Sequence, residues 1–254
     1  MAVTIKFPIP KPDRLPLKIS PCPIVEAVVE IRFVSAEPWR NLPGLFHPRI
    51  RDRYPELKEL PLASMPDELR SRDPAFTWLP LLQYKGAEFT IQFGPRVLSL
   101  ITRPHSYPGW SHFEDELVWL FKRLRESGLI SEVERIGLRY VDFFENDVWP
   151  QLNLGVQIGE NPLTSGELST TVVLRHLEGN VRLQVANGAF FQEPAGVKRG
   201  SVLDLDVWHS GGDGDLFSDG LDRVRRLHQA SKEVFFGLLK PDFLRSLNPQ
   251  YPTQ

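Results

Sequence analysis

Cysteine is nearly absent from this sequence, since Cys22 is the only one in 254 residues. A single thiol excludes an intramolecular disulfide bond and a metal cluster built from several thiolates. No apolar run approaches the roughly 20 residues that a membrane-spanning helix requires, and prolines near the N-terminus interrupt any signal-peptide pattern. We therefore expect a cytoplasmic protein with no membrane partner.

An excess of charge of one sign is also missing. The chain has 30 basic and 32 acidic residues and a formal charge of -2. Proteins that bind nucleic acids normally carry a basic surface that displaces counterions from the phosphates, so a nucleic-acid partner is not expected. Hydrophobic residues make up 41% of the chain, which is enough for a substantial core.

The usual signatures of catalysis are missing as well. The six histidines are scattered without a His-x-x-x-His pair, and the sequence contains no Gly-x-Ser-x-Gly elbow, Walker A loop or Gly-x-Gly-x-x-Gly segment. The loop 211–215 lacks the ligand spacing and the closing glutamate of a calcium loop, so we interpret it as a turn that begins a helix. We predict no catalytic residue, metal ligand or cofactor, although the sequence leaves open whether the protein is an enzyme.

What the sequence does contain is a pattern that occurs twice. Ile31, Arg32 and Phe33 correspond to Leu138, Arg139 and Tyr140, and Trp39 corresponds to Trp149. Strand-like segments and one long amphipathic helix follow each copy. We therefore predict an internal duplication, with β-α-β-β-β-α units at 24–130 and 131–240, a proline-rich extension at 1–23 and a tail at 241–254.

The hydrophobic periodicity predicts the fold class. Apolar and polar residues alternate over 24–34, and the two long helices each carry one apolar stripe. Further segments are predicted as a short helix at 43–54 and strands at 77–85, 87–93, 96–103, 134–144, 168–177, 181–191 and 201–209. This pattern predicts an α+β fold in which a long antiparallel sheet of about eight strands is covered by helices on one face. The element order resembles the TATA-binding saddle and the helix-grip folds, and this likeness concerns the fold alone.

Helix boundaries follow from the capping residues. In the middle helix we expect Ser111 to be the N-cap, with Glu114 three residues later, and Gly128 to end the helix. The last helix is predicted over 217–239, and Pro241 should end it.

Four short motifs resemble those of a sporadically distributed, uncharacterised bacterial protein family of about 250 residues. The first is Pro-x-x-Glu-x-x-x-Glu-x-Arg-Phe over 23–33, and the second is Arg-x-Gly-Leu-Arg-Tyr over 135–140. A Gly-Trp pair at 109–110 and a Leu-His pair at 227–228 complete the likeness. The resemblance implies no activity, and the patchy distribution suggests only an association with mobile or defence genes.

Arg32 and Arg139 are the main candidate site residues, because both fall on the outward face of the first strand of their unit. Two guanidinium groups on one sheet face would form an anion clamp. The alternative is an arginine–glutamate network, with Glu26 and Glu30, that ties strands together. Glu30, Arg182 and Asp206 share the same polar parity of their strands and complete the candidate surface.

Other chemistry-bearing residues have plainer interpretations. The pairs Glu26/Glu30 and Asp204/Asp206 fit strand alternation as well as acid–base chemistry. We expect His228 to be a half-buried histidine with a hydrogen-bond partner. Four tryptophans are expected to pack in the core rather than to form stacking platforms. They are Trp78, Trp110, Trp119 and Trp208.

The sequence thus favours a non-catalytic binding protein that uses the open face of its sheet to bind a protein partner or a small anionic ligand. The alternative is a small-molecule-binding or enzymatic domain of helix-grip type, with a pocket between the sheet and the long helices. Homo-oligomerisation is left open. An enclosed pocket lined by Arg32 or Arg139 would favour the alternative.

Overall fold

The fold is α+β, as predicted, in a computed structural model that describes residues 7–104, 106–163, 166–193, 196–211 and 216–252. Within these ranges, one antiparallel sheet has nine strands and a second sheet has two. No helix in the same ranges combines the length and the apolar character needed to cross a membrane. Positions 212–215 of the loop that we interpreted as a turn lie outside the described residues.

The elements have the following bounds. The strands are β1 (Ile24–Val34), β2 (Glu56–Glu59), β3 (Leu82–Lys85), β4 (Phe89–Gly94), β5 (Val97–Thr102), β6 (Glu132–Phe144), β7 (Gln157–Ile158), β8 (Asn161–Pro162), β9 (Ser169–His176), β10 (Gly179–Glu193) and β11 (Gly196–Ser210). The α-helices are α1 (Leu42–Ile50), α2 (Asp67–Arg70), α3 (Trp110–Ser127), α4 (Leu216–Leu238) and α5 (Pro241–Ser246). Short 3-10 helices occupy Trp39–Asn41, Pro61–Ser64, Pro74–Phe76 and Trp149–Gln151.

The strand order of the large sheet is β2-β3-β4-β5-β1-β6-β11-β10-β9, and β7 pairs with β8 separately. Outward from β1 the neighbours are β5, β4 and β3, and outward from β6 they are β11, β10 and β9. On each side, the neighbours of β1 or β6 are three strands that come later in the chain, and they appear in the sheet in the reverse of their order in the sequence. This order matches what the predicted duplication requires, while the duplication itself stays a prediction.

Contacts along the chain divide it into two compact units. The first unit comprises 1–25, 139–207 and 227–254, and the second comprises 26–138 and 208–226. Both units are discontinuous in sequence, because β1, β6, β11 and α4 each contribute residues to both.

In the second unit, the core forms between one face of the strands and the helices. Every second residue of β1 is buried, and Phe33 stacks on Phe93 of β4 with ring centroids 6.4 Å apart. Phe46 of α1 packs against the same Phe93 at 5.1 Å, and Phe113 of α3 stacks on Phe89 at 5.8 Å. The helices therefore cover the apolar parity of β4, and the polar parity faces the other side.

The capping of α3 differs from the prediction. The N-cap is Gly109, with φ of 94°, and Ser111 lies inside the first turn. This positive φ is a conformation that glycine adopts without the steric cost of a side chain, so the chain turns into the helix two residues earlier than a serine cap would allow. The end is as predicted, because Gly128 has the left-handed conformation with φ of 64°.

In the first unit, β9 and β10 form a hairpin, and the apolar residues Val181, Leu183 and Val185 are buried. The N-terminal segment is held to the C-terminal residues, because Leu17 donates its N–H to Gln250 and Ser20 donates to Leu247. The prediction that Pro241 ends the last helix is wrong in one respect, because this proline follows the end of α4 and lies in the first turn of the next helix, α5. At this position the missing N–H of proline has no consequence.

Candidate functional site

The second unit carries a set of arginine, glutamate and tryptophan side chains on the polar parity of β1 and around it. We call this set the Arg32 cluster, and its members are Glu30, Arg32, Trp78, Arg96, Glu134, Arg135 and Trp208. At its centre, Glu30 Oε1 accepts a hydrogen bond of 2.7 Å from Arg32 Nε and a second one from Arg135 Nη1. One carboxylate therefore neutralises and orients two guanidinium groups.

Each of these two guanidinium groups also lies over an indole ring. The Arg32 Cζ atom is 4.8 Å from the centroid of Trp78, and the Arg135 Cζ atom is 5.0 Å from that of Trp208. A cation over the face of a tryptophan is stabilised by the ring quadrupole. The side chain of Arg135 is 11% exposed and that of Arg32 is 29% exposed, so Arg32 presents the more accessible face.

A second carboxylate extends the cluster. Glu134 accepts a hydrogen bond from Arg96 and lies 3.5 Å from the indole nitrogen of Trp78. Trp78 is thus fixed at its edge by Glu134 and at its face by Arg32. The side chains are held in place before any partner arrives, which lowers the entropy that binding would cost.

Gly137 explains how Arg135 reaches Glu30. A β-carbon built on Gly137 would lie 3.0 Å from the Arg135 Cζ and Nη1 atoms, closer than ordinary packing. The guanidinium group of Arg135 therefore lies back over its own strand, in space that any other residue at 137 would occupy in part. This contact gives a physical reason for the spacing Arg-x-Gly in the segment 135–137.

The first unit carries a separate group of charges, the Arg139 cluster, which consists of Arg139, Arg182 and Asp204. Arg139 Nε and Nη2 donate two hydrogen bonds of 2.7 Å to the two carboxylate oxygens of Asp204. The Arg182 Nη2 atom is 4.0 Å from the same carboxylate. Because the neighbouring Tyr140 contacts His228 of α4, Arg139 faces away from that helix.

Asp142 lies on the opposite parity of the same strand, together with Tyr140, and this residue is only 2% exposed. Burial, together with the charge of Asp204, raises the pKa of Asp142 to about 8. The carboxyl group is therefore neutral near pH 7, which is the usual outcome when a carboxylate is removed from water without a cation beside it.

The predicted site residues thus fall in two places. Arg32 and Glu30 lie together in the Arg32 cluster, whereas Arg139 and Arg182 lie in the Arg139 cluster. The expectation that Asp206 is part of an exposed surface is wrong, because this residue is 9% exposed and counts among the buried polar side chains. The proposed anion clamp and the proposed arginine–carboxylate network both stay open as functions, although the arginines do have carboxylate partners.

The interpretation of the tryptophans as core residues is also wrong. Trp78 is 37% exposed, and Trp110, Trp119 and Trp208 are all half-buried. Arg53 and Arg123 lie over the ring of Trp119, as Arg32 lies over Trp78. The largest fully buried side chains are instead phenylalanines and tyrosines such as Phe33 and Tyr84.

Sequence reasoning did not assign a site role to Arg135, Trp78 or Trp208. The signal for Arg135 was present, since Arg135, Gly137 and Arg139 are spaced two positions apart and therefore lie on the same, outward face of the strand. Trp78 was placed in the predicted strand 77–85, but the strand begins only at Leu82. Trp78 instead follows the 3-10 helix Pro74–Phe76 in an irregular segment, where strand alternation does not fix the direction of a side chain.

The prediction for His228 is confirmed. Its Nδ1 lies 3.0 Å from the hydroxyl oxygen of Tyr140. Burial, together with the charge of Lys232, lowers the pKa of His228 to about 3, so the imidazole is neutral in the folded state.

Three surface cavities are formed by described residues. One lies between α3 and α4 near Phe121, one lies in the first unit near Asp147 and Ser201, and one lies in the second unit near Trp39 and Arg96. Arg32 and Arg139 line none of these three. Among the residues that the structure describes, no group of three or more histidine, cysteine or acidic side chains is arranged to hold a metal ion.

Comparison with known proteins adds no assignment, because no protein-family model matches the chain and no curated protein matches it significantly.

Proposed function

We propose that this protein is a non-catalytic binding protein that recognises a partner through the open face of its sheet, at the Arg32 cluster. The observation that carries the proposal is the stacked pair of half-buried Arg32 and exposed Trp78, in which Glu30 binds Arg32 and Glu134 binds Trp78. Arginine and tryptophan are the residue types that most often contribute strongly to protein–protein binding.

The pairing of the arginines favours a protein partner over a small anion. Arg32 and Arg135 already share the carboxylate of Glu30, so a small anion would compete with a carboxylate that is held in place. A protein surface instead contacts the ring of Trp78 and the apolar stem of Arg32 without breaking these hydrogen bonds. A small anionic ligand at the same face stays the second form of the proposal.

The finer architecture belongs to the same proposal. We infer that the chain arose by internal duplication, with a saddle-like sheet whose open face is the binding surface. The outward strand order from β1 and from β6 supports this inference. The resemblance to a sporadically distributed bacterial family and the suggested association with mobile or defence genes are hypotheses that give the partner no identity.

The alternative function requires a pocket between the sheet and the long helices, lined by Arg32 or Arg139. The three cavities described above lie elsewhere. These three cavities therefore give the alternative no support, and a sheet–helix pocket lined by Arg32 or Arg139 would be needed to favour it.

The test compares partner capture by three forms of the protein. The face variant is Arg32→Ala with Trp78→Ala, and the control variant is Arg51→Ala with Leu57→Ala, two exposed residues outside the cluster. A specific partner should be captured by the wild-type protein and by the control variant, but not by the face variant. The same partner, once purified, should bind the wild-type protein again. A partner that binds all three forms equally would refute the proposal.

A second experiment addresses the small anion. Inorganic phosphate is titrated into wild-type protein and into the Arg32→Ala/Arg139→Ala double variant, and backbone amide shifts are followed by NMR. If the sheet face binds anions, the double variant should stay folded and lose the saturable shifts. If the double variant unfolds, the two arginines are structural ties and their role as a binding site is disproved.

A further inference from the structure

A cavity of about 350 Å³ opens beside the Arg32 cluster in the second unit. Its walls include Trp39, Arg70, Phe76, Thr77, Leu81 and Arg96. This volume lies at the lower end of the range of about 300–1,000 Å³ that small-molecule sites occupy. The lining combines two aromatic rings with two guanidinium groups, a combination that the sequence analysis did not anticipate.

The aromatic walls are held in place by the surrounding fold. Trp39 packs on Phe93 of the core at a centroid distance of 5.3 Å. Phe76 ends a 3-10 helix whose N-cap, Asp73, accepts a hydrogen bond of 2.8 Å from the N–H of Ala75. Leu81 is 2% exposed and closes the wall. An apolar body that enters this cavity therefore meets surfaces that are already in position.

The polar part of the lining consists mainly of two guanidinium groups, those of Arg70 and Arg96, with the carboxylate of Asp67 beside Arg70. Arg70 is held by Asp67 and donates from Nη1 to the carbonyl oxygen of Leu62 at 3.1 Å. Arg96 donates to Glu134, and its buried Nε has no hydrogen-bond partner among the described residues. Arg96 is thus a guanidinium group with donor capacity that the surrounding described residues do not use.

We propose that this cavity binds a carboxylate carried on an apolar body of about the size of one aromatic ring. The ring would lie between Trp39 and Phe76, and the carboxylate would face Arg96 and Arg70. A monoanion fits better than a phosphate dianion, since Asp67 at the rim opposes a second negative charge. The proposal goes beyond recognition at the sheet face and does not depend on it.

The first experiment titrates wild-type protein with 3-phenylpropionate and follows the indole N–H signals in ¹H–¹⁵N NMR spectra. Two matched probes separate the contributions, since 3-phenylpropan-1-ol has the ring without the charge and propionate has the charge without the ring. Both should bind at least about tenfold more weakly, because each lacks one half of the interaction. Equal binding of the alcohol, or the absence of saturation by the acid, would overturn the proposal.

Variants locate the site. Arg96→Gln should weaken 3-phenylpropionate binding by about tenfold or more, whereas Arg51→Gln, an exposed arginine outside the cavity, should leave it unchanged. Because Arg96 also binds Glu134, Phe76→Ala provides a second variant that removes one wall without touching that pair. If both cavity variants bind like wild type, the cavity is not the site.

Peptides distinguish the two sources that the carboxylate could have, the C-terminus of a polypeptide chain and a small molecule. A short peptide that ends in phenylalanine should bind if the ligand is a chain terminus, and its C-terminal amide should not. Binding of the free acid alone would identify a small molecule, and both results support the proposed chemistry. The Arg32→Ala/Trp78→Ala variant should retain this binding, so failure of the sheet-face proposal and failure of this one give different results.

Discussion

Two buried titratable groups of the first unit should give the protein an unusual dependence of stability on pH. The pKa of Asp142 is raised from 3.8 to about 8, and the pKa of His228 is lowered from 6.5 to about 3. Between pH 4 and 6.5, unfolding releases a proton from Asp142 and takes one up at His228. These effects cancel in the free energy of unfolding, because its slope with pH depends on the net number of protons exchanged.

Above pH 6.5 the cancellation ends. The unfolded histidine is then neutral, and unfolding still releases the proton of Asp142 until the pH reaches about 8. A raised pKa in the folded state means that stability is lost as the pH rises, by about 1.4 kcal/mol per pH unit for one proton. The contribution of Asp142 to the free energy of unfolding should therefore fall by about 2 kcal/mol between pH 6.5 and 8.

Two variants separate the groups. Asp142→Asn keeps the shape and removes the titration, so its stability relative to wild type should rise between pH 6.5 and 8. His228→Asn keeps an acceptor near Nδ1 for Tyr140 and removes the histidine titration, so its stability relative to wild type should fall by about 3 kcal/mol between pH 4 and 6.5 and stay constant above pH 6.5. Asp115→Asn on the exposed side of α3 is the control.

The assay is urea unfolding followed by circular dichroism at pH 4.5, 6.5 and 8. Differences between each variant and wild type are compared, which removes the contributions of the other carboxylates. If the Asp142→Asn variant and wild type lose the same stability between pH 6.5 and 8, then Asp142 is ionised in the folded protein. The reasoning from burial would then be wrong.

Three further predictions concern packing and the Arg32 cluster. Leu120→Ala should lower the free energy of unfolding by about 2–5 kcal/mol, whereas Val118→Ala, on the exposed side of the same helix, should change it by less than about 0.5 kcal/mol in chemical denaturation. Gly137→Ala should displace the guanidinium group of Arg135, visible as altered Arg135 Nε–H signals in NMR, and should destabilise the protein by no more than Arg135→Ala does. Arg32→Ala should destabilise the protein by less than about 1 kcal/mol, and Arg135→Ala should destabilise it by more, since Arg135 is the more buried partner of Glu30. Equal melting temperatures of the two variants would contradict this order.

The sequence predicted what periodicity controls. Alternation over 24–34 gave β1 with its buried face, and the apolar stripe of α3 placed Phe113, Leu117 and Leu120 in the core. It also gave the fold class, because helices with one stripe need a sheet to cover. In α4 helical spacing predicts Phe235 on the apolar stripe, whereas Val234 and Phe236 are buried and Phe235 is only half-buried.

Periodicity does not predict which side chains pair across strands, and it does not predict the geometry of loops. Parity indicates that Arg32 and Arg139 point outward, and it also places Glu30 on the same face of β1 as Arg32. Arg139 instead binds Asp204 of β11, which is 65 positions away, and that pairing depends on strand order and register. Loop residues gave even less information. Trp39, Phe76 and Arg96 meet in one cavity although no local pattern relates them.

The pairing of the arginines also limits what the sheet face can recognise. Since Glu30 and Glu134 neutralise the guanidinium groups, the Arg32 cluster offers a partner little net attraction at long range. What it offers at short range is an indole ring and an arginine stem in fixed positions, and these contribute through contact area and exclusion of water. The cavity beside it differs, because it joins aromatic walls to a guanidinium group, Arg96, whose Nε has no hydrogen-bond partner among the described residues. Shape should therefore govern selectivity at the sheet face, whereas a ring combined with a hydrogen-bond acceptor should govern it in the cavity.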